Sequence, residues 1–191
     1  MTESLRIVGV SGSLREPSKT TALVRELIDG VAAREPAETR LIEVATLGPL
    51  FAGALRREDL QPEVEDALRA IETADLLIVA SPVYRASFTG LFKHLFDFVG
   101  QYALIGTPVL LAATGGGERH ALIIDHQLRP LFGFFQALTL PRGVYASDGD
   151  FTDHELTSPD IIRRTEQSVD SALPLVERAA LVRRSEYVTT W

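Results

Sequence analysis

Four hydroxyl side chains, a glycine and an arginine lie within ten residues near the start of the 191-residue chain. They follow an apolar run at residues 5–10 and precede an apolar pattern with helical spacing. A strand that leads into a helix leaves unpaired backbone N–H groups at the loop, with the positive end of the helix dipole behind them. Such a corner binds phosphate, and hydroxyl and guanidinium donors strengthen the binding. The residues concerned are Ser11, Gly12, Ser13, Arg15, Ser18 and Thr20. The sequence therefore predicts a phosphate site; the alternative is a serine-rich turn that only caps the helix.

The spacing in this loop differs from that of two common phosphate loops. A nucleoside-triphosphate loop has the pattern G-x-x-x-x-G-K-[ST], whereas here Gly12 is followed by five residues and then by Ser18, Lys19 and Thr20. A dinucleotide-binding loop has G-x-G-x-x-G, which Gly9 and Gly12 do not supply. A loop rich in hydroxyl groups favours a single terminal phosphate monoester instead.

Two other loops of unusual composition follow apolar strand patterns. The run LLIVA at residues 76–80, typical of a strand buried on both faces of a parallel sheet, leads into S-P-V-Y-R. The run PVLLAAT at residues 108–114 leads into three glycines. Each loop alone could be an ordinary turn. Together with the first loop they would accommodate a planar cofactor with a phosphate tail, its ring between residues 82–85 and the backbone donors of residues 115–117.

The elements that would position these loops alternate along the chain. Strand patterns occur at residues 5–10, 40–44, 76–80, 108–114 and 144–147, and helical patterns at residues 17–34, 62–73, 89–99, 119–138 and 159–182. This alternation predicts right-handed crossovers and a doubly wound parallel α/β sheet, in which ligands bind beyond the carboxyl ends of the strands. We expect one domain over residues 1–191, a long loop at residues 45–62 and a tail from about residue 183.

Composition excludes several classes of function. The chain has 26 acidic and 19 basic residues and a net charge of −7, which argues against nucleic acid or an acidic membrane surface as a partner. It has no cysteine, so disulfides, thiolate nucleophiles, iron–sulfur clusters and thiolate zinc sites are excluded. Its four histidines show no metal-ligand spacing. Since neither a signal-peptide pattern nor a membrane-spanning apolar run is found, we expect a cytoplasmic protein.

The sequence resembles the flavodoxin-like NAD(P)H-dependent FMN reductases over most of its length. Three motifs carry the resemblance: S-G-S-x-R-x-x-S-x-T at residues 11–20, AD-LLIVASPVY at residues 74–84 and G-L-x-K-x-x-x-D at residues 90–97. The stretch ATGGGERHALIIDHQLRP is similar to the reductase components of two-component alkanesulfonate and methanesulfonate monooxygenases. The resemblance implies a five-stranded flavodoxin-like sheet with strand order 2-1-3-4-5.

The resemblance also implies cofactors, partners and site residues. The cofactors would be FMN and either NADPH or NADH, whose own chemistry transfers the hydride without a side-chain acid or base. Reduced FMN would leave, or pass to an FMN-dependent monooxygenase that cleaves a carbon–sulfur bond with O₂. The implied phosphate ligands are Ser11, Ser13, Leu14, Arg15, Ser18, Lys19 and Thr20. The ring would contact Pro82, Val83, Tyr84 and Arg85, and its pyrimidine side Thr114, Gly115, Gly116 and Gly117.

Two other functions are compatible with the same fold. An enzyme that keeps FMN bound would reduce quinones, azo dyes or metal oxyanions. A flavoprotein without turnover of its own would carry electrons or sense FMN. Ring loops of electron carriers are usually acidic and aromatic, and Arg85 disfavours that class.

His126 differs from the other three histidines because Pro130 follows it four residues later. In a regular α-helix the proline ring would clash with the carbonyl of His126 and leave that carbonyl without a donor. A local π-helical turn would relieve both problems, and such turns are frequent at functional sites. The alkanesulfonate reductases carry an inserted tyrosine at this place, and the histidine here is similar to the methanesulfonate branch. We predict a π-helical turn that controls flavin release; the alternative is a proline kink with an exposed histidine.

Two segments with helical spacing are apolar nearly all round, which requires burial on more than one side. In a chain of this size, that pattern predicts a subunit interface. The resemblance implies a homodimer or a homotetramer. The residues concerned are Leu91, Phe92, Leu95, Phe96, Phe98, Val99, Leu131, Phe132, Phe134, Phe135 and Leu138.

Overall fold

A computed structural model describes residues 4–183 of the chain. The strands are β1 Leu5–Ser11, β2 Ala37–Glu43, β3 Leu76–Pro82, β4 Pro108–Gly115, β5 Leu138–Thr139, β6 Val144–Ser147, β7 Phe151–Thr152 and β8 Glu155–Leu156. The α-helices are α1 Lys19–Ala32, α2 Val44–Leu47, α3 Pro62–Thr73, α4 Gly90–Asp97, α5 Arg129–Phe134 and α6 Pro159–Arg183. A π-helix occupies Ile124–Leu128. The tail predicted beyond α6 lies outside the described residues.

The main sheet is parallel, with the strand order β2-β1-β3-β4-β5. This order confirms the predicted flavodoxin-like topology. The fifth position is shared by two strands, because β5 pairs with the start of β4 and β6 pairs with its end. Strands β7 and β8 form a separate antiparallel hairpin.

Alternate residues of the central strands enter two different hydrophobic clusters, one on each face of the sheet. In β3, Leu76 and Ile78 pack in the cluster that contains the apolar residues of α1 and α6. Leu77 and Val79 pack in the cluster that contains those of α3, α4 and α5. Helices therefore cover both faces, which explains why this strand is apolar without interruption.

The predicted helix over residues 119–138 is wrong in length and continuity. A 3₁₀ turn at Glu118–His120, the π-helix and the six-residue α5 occupy this stretch instead. Pro130 is the second residue of α5 and comes two residues after the end of the π-helix. The widened turn accommodates the proline, as its spacing from His126 predicts.

The predicted loop at residues 45–62 contains α2 and two 3₁₀ turns, at Gly48–Leu50 and Arg57–Asp59. Arg57 holds this segment against α3, with hydrogen bonds of 2.9 Å to Glu65 and 2.5 Å to Glu72. The same guanidinium donates to the carbonyl of Phe98 just after α4. Hydrogen bonding from Arg57 lowers the pKa of Glu65 to about 2. The segment is therefore anchored and covers one side of the core.

The prediction that both apolar segments need a partner subunit is wrong for α4. Five of the predicted interface residues in α4 or just after it are buried within the chain itself: Phe92, Leu95, Phe96, Phe98 and Val99. Phe132 and Phe135 are buried as well, against the rings of Phe96 and of each other. Among the predicted residues, Phe134 and Leu138 remain exposed, with 62% and 40% of their surface accessible.

Candidate functional site

The three predicted loops meet at one edge of the sheet and enclose a cleft of about 340 Å³. The strand register brings them together, since Ser11 pairs with Ala80 and Pro82 pairs with Thr114. Eleven of the fifteen predicted binding residues line the cleft: Ser13, Arg15, Ser18, Lys19, Thr20, Pro82, Val83, Tyr84, Thr114, Gly115 and Gly116. Pro17, Asp148 and His154 also line it and were not predicted.

The amino end of α1 forms one wall of the cleft. Ser18 caps the helix and accepts a hydrogen bond from the amide of Thr21 at 3.2 Å. Within the described residues, the amides of Lys19 and Thr20 have no hydrogen-bond partner. The exposed guanidinium of Arg15 likewise makes no ion pair or hydrogen bond to any described residue. Free amides at a helix start beside an unpaired arginine form an anion-binding corner.

Four predicted residues lie outside the cleft lining. The hydroxyl of Ser11 is fully buried and bonded to Thr21 at 2.8 Å, so it joins β1 to α1. Leu14 projects part of its side chain to the surface, with 38% exposed. Arg85 and Gly117 flank the cleft without lining it.

Residues 84–87 form a tight hairpin at the opposite wall. The amide of Tyr84 donates to the carbonyl of Ser87 at 2.8 Å, and the reverse bond is 3.1 Å. Arg85 and Ala86 have φ of 50° and 67°, a region that non-glycine residues occupy only at a cost of order 1 kcal/mol. The hydroxyl of Ser87 donates to Gln127 Oε1 at 3.1 Å, which connects this hairpin to the π-helix.

A buried hydrogen-bond network fixes the first two loops relative to each other. Thr89 caps α4, and its hydroxyl donates to the carbonyl of Gly12 at 2.7 Å. The amide of Thr89 donates to the hydroxyl of Ser81 at 3.1 Å. Gly12 approaches α4 so closely that a Cβ there would lie 2.8 Å from the ring of Phe92.

Substitution of Gly12 by alanine is expected to destabilise the protein by about 1–3 kcal/mol, because overpacking forces Phe92 or the loop to shift. Chemical denaturation measures the change in the free energy of unfolding. Gly53→Ala is the matched control, because a Cβ at Gly53 meets no atom within 4 Å. Equal stability of the two variants would contradict the close approach seen at Gly12.

The third loop is fixed by Tyr145 of β6. Its hydroxyl donates to the carbonyl of Gly117 at 2.6 Å, and a Cβ on Gly115 would lie 2.5 Å from the same hydroxyl oxygen. Burial, with a further contribution from the charge of Glu118, raises the pKa of Tyr145. The phenol therefore stays protonated and donates.

Thr20 and Thr114, whose hydroxyls lie 2.6 Å apart, join α1 to the end of β4 beside this loop.

The π-helix confirms the turn predicted from His126 and Pro130. His126 lies in its centre and is exposed, while Leu128 and Ile124 are buried in the core. The amide of His126 donates to the carbonyl of Leu122 at 2.9 Å. His126 is outside the cleft, and its neighbour Gln127 is bonded to Ser87 of the hairpin that follows the cleft residue Tyr84.

Within residues 4–183, no group of three His, Cys, Asp or Glu side chains is arranged to hold a metal ion. No described helix is long and apolar enough to cross a membrane.

The profile of the NADPH-dependent FMN reductase family matches residues 5–152. The chain belongs to this family. It is 51% identical over 175 residues to the NADH-dependent FMN reductase SfnF of Pseudomonas fluorescens, with 92% of this chain and 94% of that protein covered. It is 49% identical to an FMN reductase (NADPH) of Pseudomonas aeruginosa, with the same coverage. The solved structure of the NADH:FMN oxidoreductase EMOB in apo form has a TM-score of 0.77 and 31% identity, with 90% of each chain covered.

These comparisons confirm the predicted family, enzyme class and cofactors FMN and NAD(P)H. The two Pseudomonas relatives are similar in identity but are named for different nicotinamide nucleotides.

The residues of the cleft fit FMN. The anion-binding corner matches its single phosphate, and Gly115 and Gly116 present backbone without side chains to the cleft. Tyr84, Pro82 and Val83 supply the apolar surface that a planar ring requires.

We expect Tyr145→Phe to raise the KM for FMN by about fivefold, the effect of losing one neutral hydrogen bond of about 1 kcal/mol. The carbonyl of Gly117 would lose its donor, and the glycine segment would loosen while the aromatic packing is kept. Steady-state kinetics with varied FMN measures the change, and the turnover number should change less than KM. An unchanged KM would show that the segment keeps its position without this bond.

Proposed function

We propose that this FMN reductase, whose described residues form a single flavodoxin-like domain, transfers a hydride from NADH or NADPH to FMN in the cytoplasm. It would then release the reduced flavin to a separate FMN-dependent monooxygenase that acts on an alkanesulfonate or methanesulfonate. The observation that supports the proposal is the anion-binding corner at the start of α1. It lies in the same cleft as residues 82–84 and the glycine segment.

The residues of the chain would bind and orient rather than exchange protons. Arg15, Ser18 and the amides of Lys19 and Thr20 would hold the phosphate, while Ser13 keeps the loop in shape by bonding the backbone of Arg15. When bound, FMN accepts the hydride and NAD(P)⁺ is the other product. Tyr84 of the cleft lining and its neighbours Arg85 and Ala86 are exposed, so a nicotinamide nucleotide would reach the flavin from this side.

A steady-state assay tests this function against the alternatives. NADH and NADPH oxidation are measured with protein as purified, first alone, then with free FMN, and then with a quinone. We expect oxidation that saturates with added FMN and is slow without it. Fast quinone reduction by protein that purifies with bound flavin would contradict the proposal and favour the FMN-retaining reductase.

We further propose that the protein forms a homodimer or homotetramer through the exposed apolar residues near α5. Phe134, Leu138 and Ile105 are 62%, 40% and 50% exposed. Their segments adjoin, since Gly106 and Leu138 donate backbone hydrogen bonds to Gln136 and Thr107. Such a surface favours contact with another protein.

Phe134→Asp is expected to shift the protein to a smaller species, because a charge would be forced into a dry interface. Light scattering after size exclusion measures the mass, and circular dichroism shows that the fold is kept. Leu55→Asp is the control, since Leu55 is 89% exposed and lies in the segment of residues 45–62 rather than near α5 in sequence. Unchanged mass for Phe134→Asp would contradict this interface. Phe92→Asp and Phe135→Asp would test stability instead, because both side chains are core residues.

A further inference from the structure

An ion pair between Lys19 and Asp148 lies at the anion-binding corner. Lys19 is the first residue of α1, and its Nζ lies 2.8 Å from Oδ1 and 3.3 Å from the carbonyl oxygen of Asp148. The same ammonium lies 5.8 Å from the centroid of the Phe151 ring. Lys19 and Asp148 both line the cleft. Lys19 is therefore already paired with the carboxylate of Asp148.

The fold holds Asp148 in this place. Ser147, the last residue of β6, pairs with Gly115 at the end of β4. Asp150 accepts hydrogen bonds from the amide of Ser147 at 2.7 Å and from its hydroxyl at 2.8 Å. Burial alone would raise the pKa of Asp150, but these hydrogen bonds outweigh it and keep the pKa below its usual range. The turn that carries Asp148 is therefore braced by an ionised side chain.

Asp148 reduces the attraction of the cleft for a phosphate. Arg15 and Lys19 are its basic side chains and Asp148 is its acidic one, with the exposed His154 at the β7–β8 turn beside them. Asp148 neutralises Lys19 and adds a negative charge close to where a dianion would bind. A carboxylate and a phosphate that lie close together repel each other appreciably even near water.

We propose that Asp148 is a release determinant: it competes with the FMN phosphate for Lys19 and repels the phosphate, so that the flavin dissociates readily. This inference rests on the proposed function, in which reduced FMN must leave after each turnover. Without Asp148, Lys19 would join Arg15 on the phosphate, and the flavin would be retained.

The test is FMN and riboflavin binding to Asp148→Asn, measured by quenching of flavin fluorescence. We expect the Kd for FMN to fall about five- to tenfold, because one repulsive charge is removed and one lysine is freed. Riboflavin has no phosphate, so its Kd should not change. Rapid mixing should show slower FMN dissociation by a similar factor.

Asp66→Asn is the matched control. Asp66 is 68% exposed and paired with Arg40 at 2.7 Å, whereas Asp148 is 64% exposed and paired with Lys19 at 2.8 Å. Both substitutions change the net charge by the same amount, so Asp66→Asn should leave the Kd for FMN unchanged.

A second comparison uses Lys19→Met, which should weaken FMN binding more in the Asp148→Asn background than in the wild type.

Each result has a defined consequence. An FMN Kd that stays unchanged or rises in Asp148→Asn would overturn the inference, as would equal tightening of riboflavin. If the wild type bound FMN no better than riboflavin, both the assignment of the anion-binding corner to the phosphate and this inference would be wrong. Because binding is measured without NADH, failure of the reductase assay alone would leave this result standing.

Discussion

Replacement of Arg15 by alanine is expected to raise the Kd for FMN by roughly ten- to a hundredfold, a loss of about 1.5–3 kcal/mol for a charge-assisted contact. Arg15 is the basic side chain of the cleft that has no partner among the described residues, so a phosphate would gain its full interaction. The fold should be unaffected, since the guanidinium is exposed.

Flavin fluorescence titration measures the effect, and riboflavin separates phosphate from ring contributions. Riboflavin should bind the wild type and Arg15→Ala equally. Arg25→Ala is the control, because Arg25 is an exposed arginine of α1 that pairs with Glu43 outside the cleft. If Arg15→Ala bound FMN as tightly as Arg25→Ala does, Arg15 would be removed from the phosphate site.

Deletion of His126 is expected to convert the protein into one that retains its flavin. The residues that follow would turn by about 100° relative to the preceding helix. Gln127 would then lose its alignment with Ser87, and Leu128 its place in the core. We expect bound FMN still to be reduced by NAD(P)H, while turnover with free FMN falls about tenfold because product release limits it.

The flavin content of the purified deletion variant is measured together with steady-state NAD(P)H oxidation. His126→Ala leaves the backbone length intact and should alter turnover less than the deletion does. A deletion variant that purifies colourless and turns over free FMN like the wild type would contradict control of release by the π-helix.

The fold and most of the cleft could be predicted because they follow from local patterns. Uninterrupted apolar runs such as LLIVA indicate buried parallel strands, and loops at their carboxyl ends must meet at one edge. The clash between Pro130 and the carbonyl of His126 is also local, and it predicted the π-helix that is observed.

The residues that were missed depend on tertiary contacts. Asp148 follows the fifth strand pattern at the same sheet edge, so the rule that found the other loops could have indicated it. Its ion pair with Lys19 spans 129 residues of sequence and has no local signal. The apolar pattern of α4 could not distinguish a subunit interface from burial in the core of the same chain, since both require the same side chains.

Anaerobic ultrafiltration tests directly whether the protein releases reduced FMN as a free product. Catalytic amounts of protein are mixed with NADH or NADPH and a large excess of FMN, and the flavin that passes the membrane is quantified. We expect reduced FMN in the filtrate to equal the nicotinamide nucleotide oxidised and to exceed the protein many times over. Reduction that stops after one flavin per chain, with that flavin retained above the membrane, would contradict the account.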